Sequence, residues 1–307
     1  MSELILHHYA GSPFSEKIRL ILGYKDLAWQ GVTVPVICPK PDVLALTGGY
    51  RRTPFLQIGG DIFCDSALIC EVLEARQPAP SLFPAQSAGA ERVLAQWADR
   101  SLFLAAVSYT LQPAGAGAIF AGAPPEFMAA FAADRAAMTS GNVRPSSLDA
   151  AAELQSYLLW LEAMLGDGRP FLLGAAATLA DFAVAQSVWF IRLAPPVAGI
   201  LAPLERLTAW FERMAALGHG QRSKSDSLAA IEAARKLGPQ EPVSVQDGLG
   251  FEAGDKVQVS ASDYARDPVC GELVGLNQGR ISLCRVDERA GLVHVHFPRI
   301  GYALRKV

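Results

Sequence analysis

The 307-residue chain is 51% hydrophobic and 19% charged, which excludes a disordered protein and gives length for two domains with room for a small third. Twenty-seven Lys and Arg against thirty Asp and Glu leave a net charge of −3, so nothing global recruits nucleic acid or an anionic membrane. Five cysteines (Cys38, Cys64, Cys70, Cys270, Cys284) form no Cys-x-x-Cys and no zinc-like pairing with histidine, the pattern of free thiols in a reducing compartment.

The first run, "MSELILHHYA", reads as a strand and lacks the basic region, apolar stretch and small-residue cleavage site of an export signal, so a cytoplasmic location is expected. Ile18, Ile21 and Leu22 share one face of a helix over Pro13–Tyr24, and the β-branched "GVTVPVI" reads as a second strand. "PFLQI" and "DIFC" flank Gly59-Gly60 as a hairpin, and Ala67–Arg76 is again helical with Leu68, Ile69, Val72 and Leu73 inward. Strand, helix, strand, hairpin and helix imply a compact α/β unit over residues 1–80.

The proline-rich "QPAPSLFPAQSAGA" is a linker, and beyond it the period becomes helical. Leu154, Tyr157, Leu158, Leu161 and Leu165 fall at helical spacing, as do Leu204, Leu207, Phe211 and Met214, so an all-helical bundle is expected over residues 86–237. Residues 101–125 carry no charge, but Pro113, Pro124, Pro125 and several glycines interrupt them; a buried helix and a pocket-lining loop are expected rather than a membrane span.

After the second linker, "GPQEPVSVQDG", short segments alternate with period two, which predicts a small all-β barrel of about five strands over residues 250–307. Eight Lys or Arg against seven Asp or Glu from Phe251 to Val307 do not make the basic stripe of a nucleic-acid barrel. His294 and His296 share a strand face, as two metal ligands do, but no third ligand is evident. They are expected as outward polar residues alternating with Val293, Val295 and Phe297, and no metal is expected.

"SPFS", residues 12–15, has the spacing of a redox Cys-x-x-Cys at a helix start, with serine at each sulfur position. Ser12 before Pro13 is a helix cap, and a cap alone is one reading; the other is that its hydroxyl and the unpaired N–H groups behind it face an anion such as a bound thiolate. Thr53-Pro54 precedes "FLQI" either as a proline opening a strand or as a cis bond that presents the Thr53 backbone to an extended peptide-like ligand. Asp65-Ser66 opens the next helix: either side chain is a cap, or Ser66 and the helix N–H groups hold a carboxylate while Asp65 accepts from an amine.

With these motifs in order, the chain resembles a cytosolic-type glutathione transferase. "SPFSEKIRLIL" resembles the family's active-site loop and first helix, with Ser12 where the non-tyrosine classes carry serine or cysteine. "TPFLQI" is similar to its Val-Pro element with Thr53 in place of valine, "CDSALI" to its Glu-Ser or Gln-Ser element, and "KPDVLALTGGYRRTP" to the segment that begins with a glycine-carboxylate lysine, here Lys40. "FLLGAAATLADFAV" resembles the family's N-capping box, where Thr178 caps and Asp181 returns a bond, a structural role.

The resemblance covers about residues 4–235 and implies a thioredoxin-like first domain, an all-α second domain, glutathione as cosubstrate and a homodimer, with an SH3-like outline for the barrel. It places the sulfur in the ligand: Ser12 stabilises a glutathione thiolate, Thr53 and Pro54 line the tripeptide, Asp65 and Ser66 take its γ-glutamyl end, and Lys40 its glycine carboxylate. Tyr9 is the rival thiolate stabiliser; Ser12 is preferred because it sits at the helix mouth. Two serines form no mixed disulfide, which favours conjugation of a small hydrophobic electrophile over reductase chemistry. Phe14, Phe103 and Tyr109 are candidates for a second, apolar pocket, although aromatics at this spacing also serve as core. Arg51 and Arg52 are within reach of a ligand carboxylate but, as a turn pair, are expected in solvent. The alternatives are a non-catalytic scaffold using the barrel as an interaction module, and a glutathione-dependent isomerase, dehalogenase or peroxidase.

Overall fold

The computed structural model describes residues 3–141 and 146–307. Strand β1 (Ile5–His8) leads into helix α1 (Pro13–Tyr24), then β2 (Ala28–Thr33), α2 (Pro41–Thr47), the hairpin β3 (Phe55–Ile58) and β4 (Asp61–Cys64), and α3 (Ser66–Arg76). β2 runs parallel to β1, and β3 and β4 follow antiparallel, which is the thioredoxin-like arrangement. The helical unit comprises α4 (Ala90–Trp97), a wide π-helical turn at Ala98–Leu102, α5 (Phe103–Thr110), α6 (Pro113–Ile119), α7 (Pro125–Met138), α8 (Ser147–Met164), α9 (Leu179–Arg192) and α10 (Glu205–Ala215). Among the described residues no single helix is long and apolar enough to cross a membrane; α4–α5 and α6 are bent by 88° at the Leu111–Gln112 break.

α9 carries the helical unit. Asp181 is fully buried, and its carboxylate accepts from Thr178 N–H at 2.9 Å, Leu172 N–H at 2.8 Å and Trp210 Nε1–H at 2.9 Å. It closes a capping box with Thr178 and also ties α10 and the preceding loop to α9.

Past Ala215 the helical expectation gives way. Residues Gln221–Ser225 form β5, parallel to β2, and α11 (Ser227–Leu237) packs on α2 and the sheet. The remaining strands, β6 (Lys256–Ala261), β7 (Val269–Leu276), β8 (Arg280–Asp287), β9 (Gly291–Pro298) and β10 (Tyr302–Lys306), pair antiparallel in the order β10-β6-β7-β8-β9. They do not stand as a separate barrel. β9 pairs parallel with β4, Asp61 opposite His294 and Phe63 opposite His296, so one ten-stranded sheet runs β10-β6-β7-β8-β9-β4-β3-β1-β2-β5.

The alternation of β3 and β4 explains how both faces are buried. Leu56 and Phe63 face a core shared with α1, α3 and the helical unit, whereas Phe55, Ile62 and Cys64 face a second core shared with α2, α11 and the C-terminal strands. The join itself is polar. Asp61, 2% exposed, accepts His296 Nε2 at 2.9 Å and the backbone N–H groups of Gln240 and Glu241 at 2.6 and 2.9 Å, while His296 Nδ1 lies 2.8 Å from Ser282 Oγ. Gly60 adds two backbone bonds, to Gly238 and His294, in a space where a Cβ would collide with the Gly238 backbone.

This corrects the outward placement expected of the two histidines: His296 is fully buried against Asp61, which the linker after α11 also bonds, and His294 is partly buried. A carboxylate does stand beside them, the donor atoms of Asp61, His294 and His296 lying within 4.8 Å of one another. Ser282, His296 and Asp61 have the order of a nucleophilic triad, yet Ser282 is 2% exposed and none of the three borders the cleft described below, so they serve as a staple.

Two predictions follow from this packing. Asp61→Asn, which removes a charged acceptor of three bonds, should lower unfolding free energy by about 2–4 kcal/mol in chemical denaturation; wild-type stability would contradict the staple. Burial lowers the fully enclosed His7 imidazole to about 4, its bond to Gln57 opposing only in part, so His7 is neutral in the fold and takes a proton on unfolding. Its contribution is complete above the ordinary imidazole value and is lost as pH falls toward 4, about 3 kcal/mol in all. His7→Gln should flatten the stability–pH slope over that window, and unchanged slopes would refute it.

Candidate active site

A narrow, open cleft lies where α1, α3, the Thr53-Pro54 segment, the π-helical turn and the C-terminal strands meet. Its floor is Thr53, Pro54, Asp65 and Ser66; Phe14, Asp99 and Arg100 form one wall, and Asp263, Tyr264 and Tyr302 the other. None of the five cysteines borders it. Cys64 and Cys70 are buried, and burial pushes the Cys70 thiol up to about 12.

Ser12 is the N-cap of α1. Its backbone is extended and its Oγ accepts the Ser15 N–H at 3.2 Å; the Thr53 carbonyl at 3.5 Å is too long for a firm bond, and the hydroxyl also interacts with the Tyr9 phenol. Ser12 is 2% exposed and lies behind Phe14 and Thr53, next to the cleft rather than on its surface. Ser15, at the second position of the motif, is fully buried in α1. Tyr9 lies near Ser12 and beneath α7; burial raises its phenol above the ordinary value, with Arg135 and the Ser12 hydroxyl pulling the other way.

The Thr53-Pro54 bond is cis. At the start of α3, Asp65 has φ 78° and ψ 135°, a conformation costly for a residue with a Cβ and typical of functional sites. Its Oδ1 accepts the Ala67 N–H at 2.9 Å and its Oδ2 accepts the Tyr302 hydroxyl at 2.9 Å. Ser66 lies beside it with its Oγ 3.5 Å from Lys17 Nζ.

Lys17 and Asp99 are residues that motif reading missed. Lys17 is fully buried in α1, and its ammonium meets Asp99 at 2.6 Å; Asp99 also accepts Gln186 Nε2 at 2.7 Å. Burial, the largest single influence, lowers the lysine, but Asp99 together with Cys70 and Asp65 outweighs it and holds Lys17 above its ordinary value. The π-helical turn re-aims Asp99 inward between α4 and α5, one of the uses such turns serve.

The two arginines expected in solvent are held by the protein instead. Arg51 meets Asp134 of α7 at 2.6 Å and Asp267 at 3.6 Å, and Arg52 pairs with Asp263, donates to the Tyr264 carbonyl and stacks on the Tyr264 ring at 3.9 Å. Lys40 donates to the Arg51 carbonyl at 3.2 Å and borders a second cavity with His7 and Val34; burial brings its ammonium down to about 8. The structure therefore gathers Thr53, Pro54, Asp65, Ser66, Phe14 and Arg52 around one cleft and leaves Lys40 outside it. Phe103 packs against Phe14 with ring centroids 4.6 Å apart and the planes tilted by 57°, whereas the Tyr109 hydroxyl is committed to the Val197 carbonyl at 2.9 Å.

The family model described as glutathione S-transferase, N-terminal domain, matches residues 6–81, and the model for the C-terminal domain matches residues 95–213. Among solved structures, a GST-like protein from Pseudomonas syringae is 40% identical with TM-score 0.83, each chain covered over 100% of its length. A glutathione S-transferase from Rhodospirillum rubrum F11 is 20% identical with TM-score 0.54, over 78% of this chain and 93% of that one. Rice GST1 in complex with glutathione is 21% identical with TM-score 0.51, over 78% and 91%. These last two likenesses show the fold. No curated protein sequence matches the chain.

The chain belongs to the glutathione S-transferase family. It is a glutathione-dependent transferase, with glutathione as its cosubstrate. The C-terminal strands lie beyond both family models, while the Pseudomonas protein matches along the whole chain.

Lys17→Met would leave the Asp99 carboxylate enclosed without its cation, and should cost about 3–5 kcal/mol in chemical denaturation. An unchanged midpoint would show that the pair does not hold α1 to the helical unit.

Proposed function

We propose that the cleft binds glutathione extended along Thr53 and Pro54 and activates its thiol for attack on a small hydrophobic electrophile. The observation that carries this reading is the convergence of two helix N-termini, α1 behind Ser12 and α3 behind Ser66, on either side of the Thr53-Pro54 segment. Both are positive ends that favour anions, a thiolate at one and a carboxylate at the other. The γ-glutamyl amine meets Asp65, its carboxylate meets Ser66 and the α3 N–H groups, and the sulfur lies at Ser12.

A free thiol titrates near 8.5, so a helix terminus plus one hydroxyl donor brings it into thiolate form at neutral pH. The Ser12 hydroxyl, whose contact to Thr53 is long and which also interacts with the Tyr9 phenol, turns from these toward that sulfur. The thiolate then forms a carbon–sulfur bond as the leaving group departs with its electron pair. Tyr9, half-buried under α7, is the alternative donor, and Phe14 with Phe103 supplies the apolar side on which the electrophile sits. Lys40 would reach the glycine carboxylate only through a shift of the Arg51 segment that it now bonds.

The domain limits proposed are 1–80, 86–237 and 250–307, with residues 221–237 completing the first domain's sheet and its cover. The strand order of the last unit, with its final strand beside its first, supports the SH3-like outline, here left open and joined through β9. A homodimer acting in the cytoplasm remains part of this proposal.

Ser12→Ala should leave glutathione affinity within about threefold by calorimetry while lowering turnover of a model aryl halide by about 10- to 100-fold, because the lost bond acts mainly on the thiolate. Wild-type turnover would refute Ser12 and transfer the role to Tyr9.

A further inference from the structure

We propose that the C-terminal β-unit is part of the ligand-binding machinery: Tyr302 is a positioning residue that holds the Asp65 carboxylate for the ammonium of an α-amino-acid head group, and Asp263 with Tyr264 closes the outer side of that subsite. This rests on the reading of the cleft as a glutathione site.

Three carboxylates border the cleft, and charge separates them. Asp99 has Lys17, and Asp263 has Arg52. Asp65 has no ion pair among the described residues; its two oxygens are met by neutral donors, the Ala67 N–H and the Tyr302 hydroxyl. A carboxylate at a cleft, hydrogen-bonded only by neutral groups and with the Lys17 ammonium that it feels already committed to Asp99, gains from a ligand cation, and an ammonium is the cation that an amino-acid head brings.

Tyr302 sits at the first residue of β10, 8% exposed, with its ring against Phe297. Burial holds its phenol well above the ordinary value, so it donates at any physiological pH and cannot become a competing anion. With Oδ1 fixed by the helix and Oδ2 by Tyr302, the carboxylate loses its rotational freedom before a ligand arrives, and less is lost on binding. Arg52 locks the opposite side. Its guanidinium lies over the Tyr264 ring at 3.9 Å, donates to the Tyr264 carbonyl and pairs with Asp263, so a residue next to the Thr53-Pro54 segment is tied directly to the C-terminal unit. The Ala265 N–H donates to the Met138 carbonyl at 2.7 Å, which extends the wall onto α7. The head-group subsite is thereby built from both ends of a single chain.

The test is a kinetic comparison of two thiols, glutathione and cysteinylglycine, which lacks the γ-glutamyl head. Tyr302→Phe should raise KM for glutathione about 5- to 20-fold with kcat within twofold, and leave KM for cysteinylglycine unchanged. Asp65→Asn should raise the glutathione KM at least as far, and adding Tyr302→Phe to it should add little, since Tyr302 acts through Asp65. A merely structural tyrosine would instead shift both thiols together and lower the thermal midpoint. Equal effects on the two thiols, or an unchanged glutathione KM, would overturn the proposal; a lowered KM would mean that Tyr302 competes with the ligand for Asp65. If Tyr302→Phe does not fold, Asp263→Asn carries the same comparison, with the same selective loss expected and the same outcomes against it. Absence of any glutathione binding or turnover by the wild type would remove the glutathione reading and this inference with it, whereas wild-type binding with unaffected variants removes the inference alone.

Discussion

The parallel pairing of β4 with β9 decides where the rest of the molecule sits. β4 is the outer strand of the thioredoxin-like sheet, and its hydrogen-bonding edge must be paired or covered. Here the cover is the chain's own C-terminus, clamped at a single carboxylate that reaches β9 through His296 and the linker through the Gln240 and Glu241 N–H groups. Because Asp61 is only four residues before Asp65, this clamp also sets the height at which β10 meets the start of α3. The Tyr302 bond to Asp65 is a consequence of that register.

Two ion pairs at the cleft join parts of the fold that lie far apart in the chain. Lys17 on α1 meets Asp99 on the π-helical turn, and Arg52 beside the cis proline meets Asp263 between β6 and β7. Such pairs add little stability beyond what well-packed apolar residues would give, but they are costly to break singly, so they fix the relative positions of the parts that carry them. Asp65 differs: it holds a strained backbone conformation and makes no ion pair among the described residues, the Lys17 ammonium that it feels being bonded to Asp99. In our proposal this is the place where a ligand cation completes the set.

Much of this architecture was legible in the sequence where the signal is local. The apolar stripe of Ile18, Ile21 and Leu22, the Ser12-Pro13 start, the Gly59-Gly60 hairpin and the Thr178/Asp181 box each involve residues within a few positions of one another, and each formed as its spacing implied. Period-two alternation located the last five strands. What it did not locate was their neighbour, because parallel pairing of β9 to β4 joins residues more than 230 positions apart and leaves no local trace. Separation in sequence, 83 positions for Arg51–Asp134 and 211 for Arg52–Asp263, also hid the partners of these arginines, and two histidines read as solvent-facing became one buried and one partly buried. β5, "QRSKS", is polar and exposed, and only its backbone pairing with β2 makes it a strand. Lys17 did carry a usable sign: it falls on the inward stripe with Phe14 and Ile21, and a charge on an inward face requires a counter-charge.

The central claim is that one chain, folded back through β9, builds both walls of the cleft that receives the tripeptide. A crystal structure of the protein soaked with glutathione tests it most directly. The account predicts the γ-glutamyl ammonium within about 3 Å of Asp65 with Tyr302 still bonded to that carboxylate, and the sulfur beside Ser12. A tripeptide bound only after the C-terminal strands have swung away from α3, or held with its head group remote from Asp65, would contradict it.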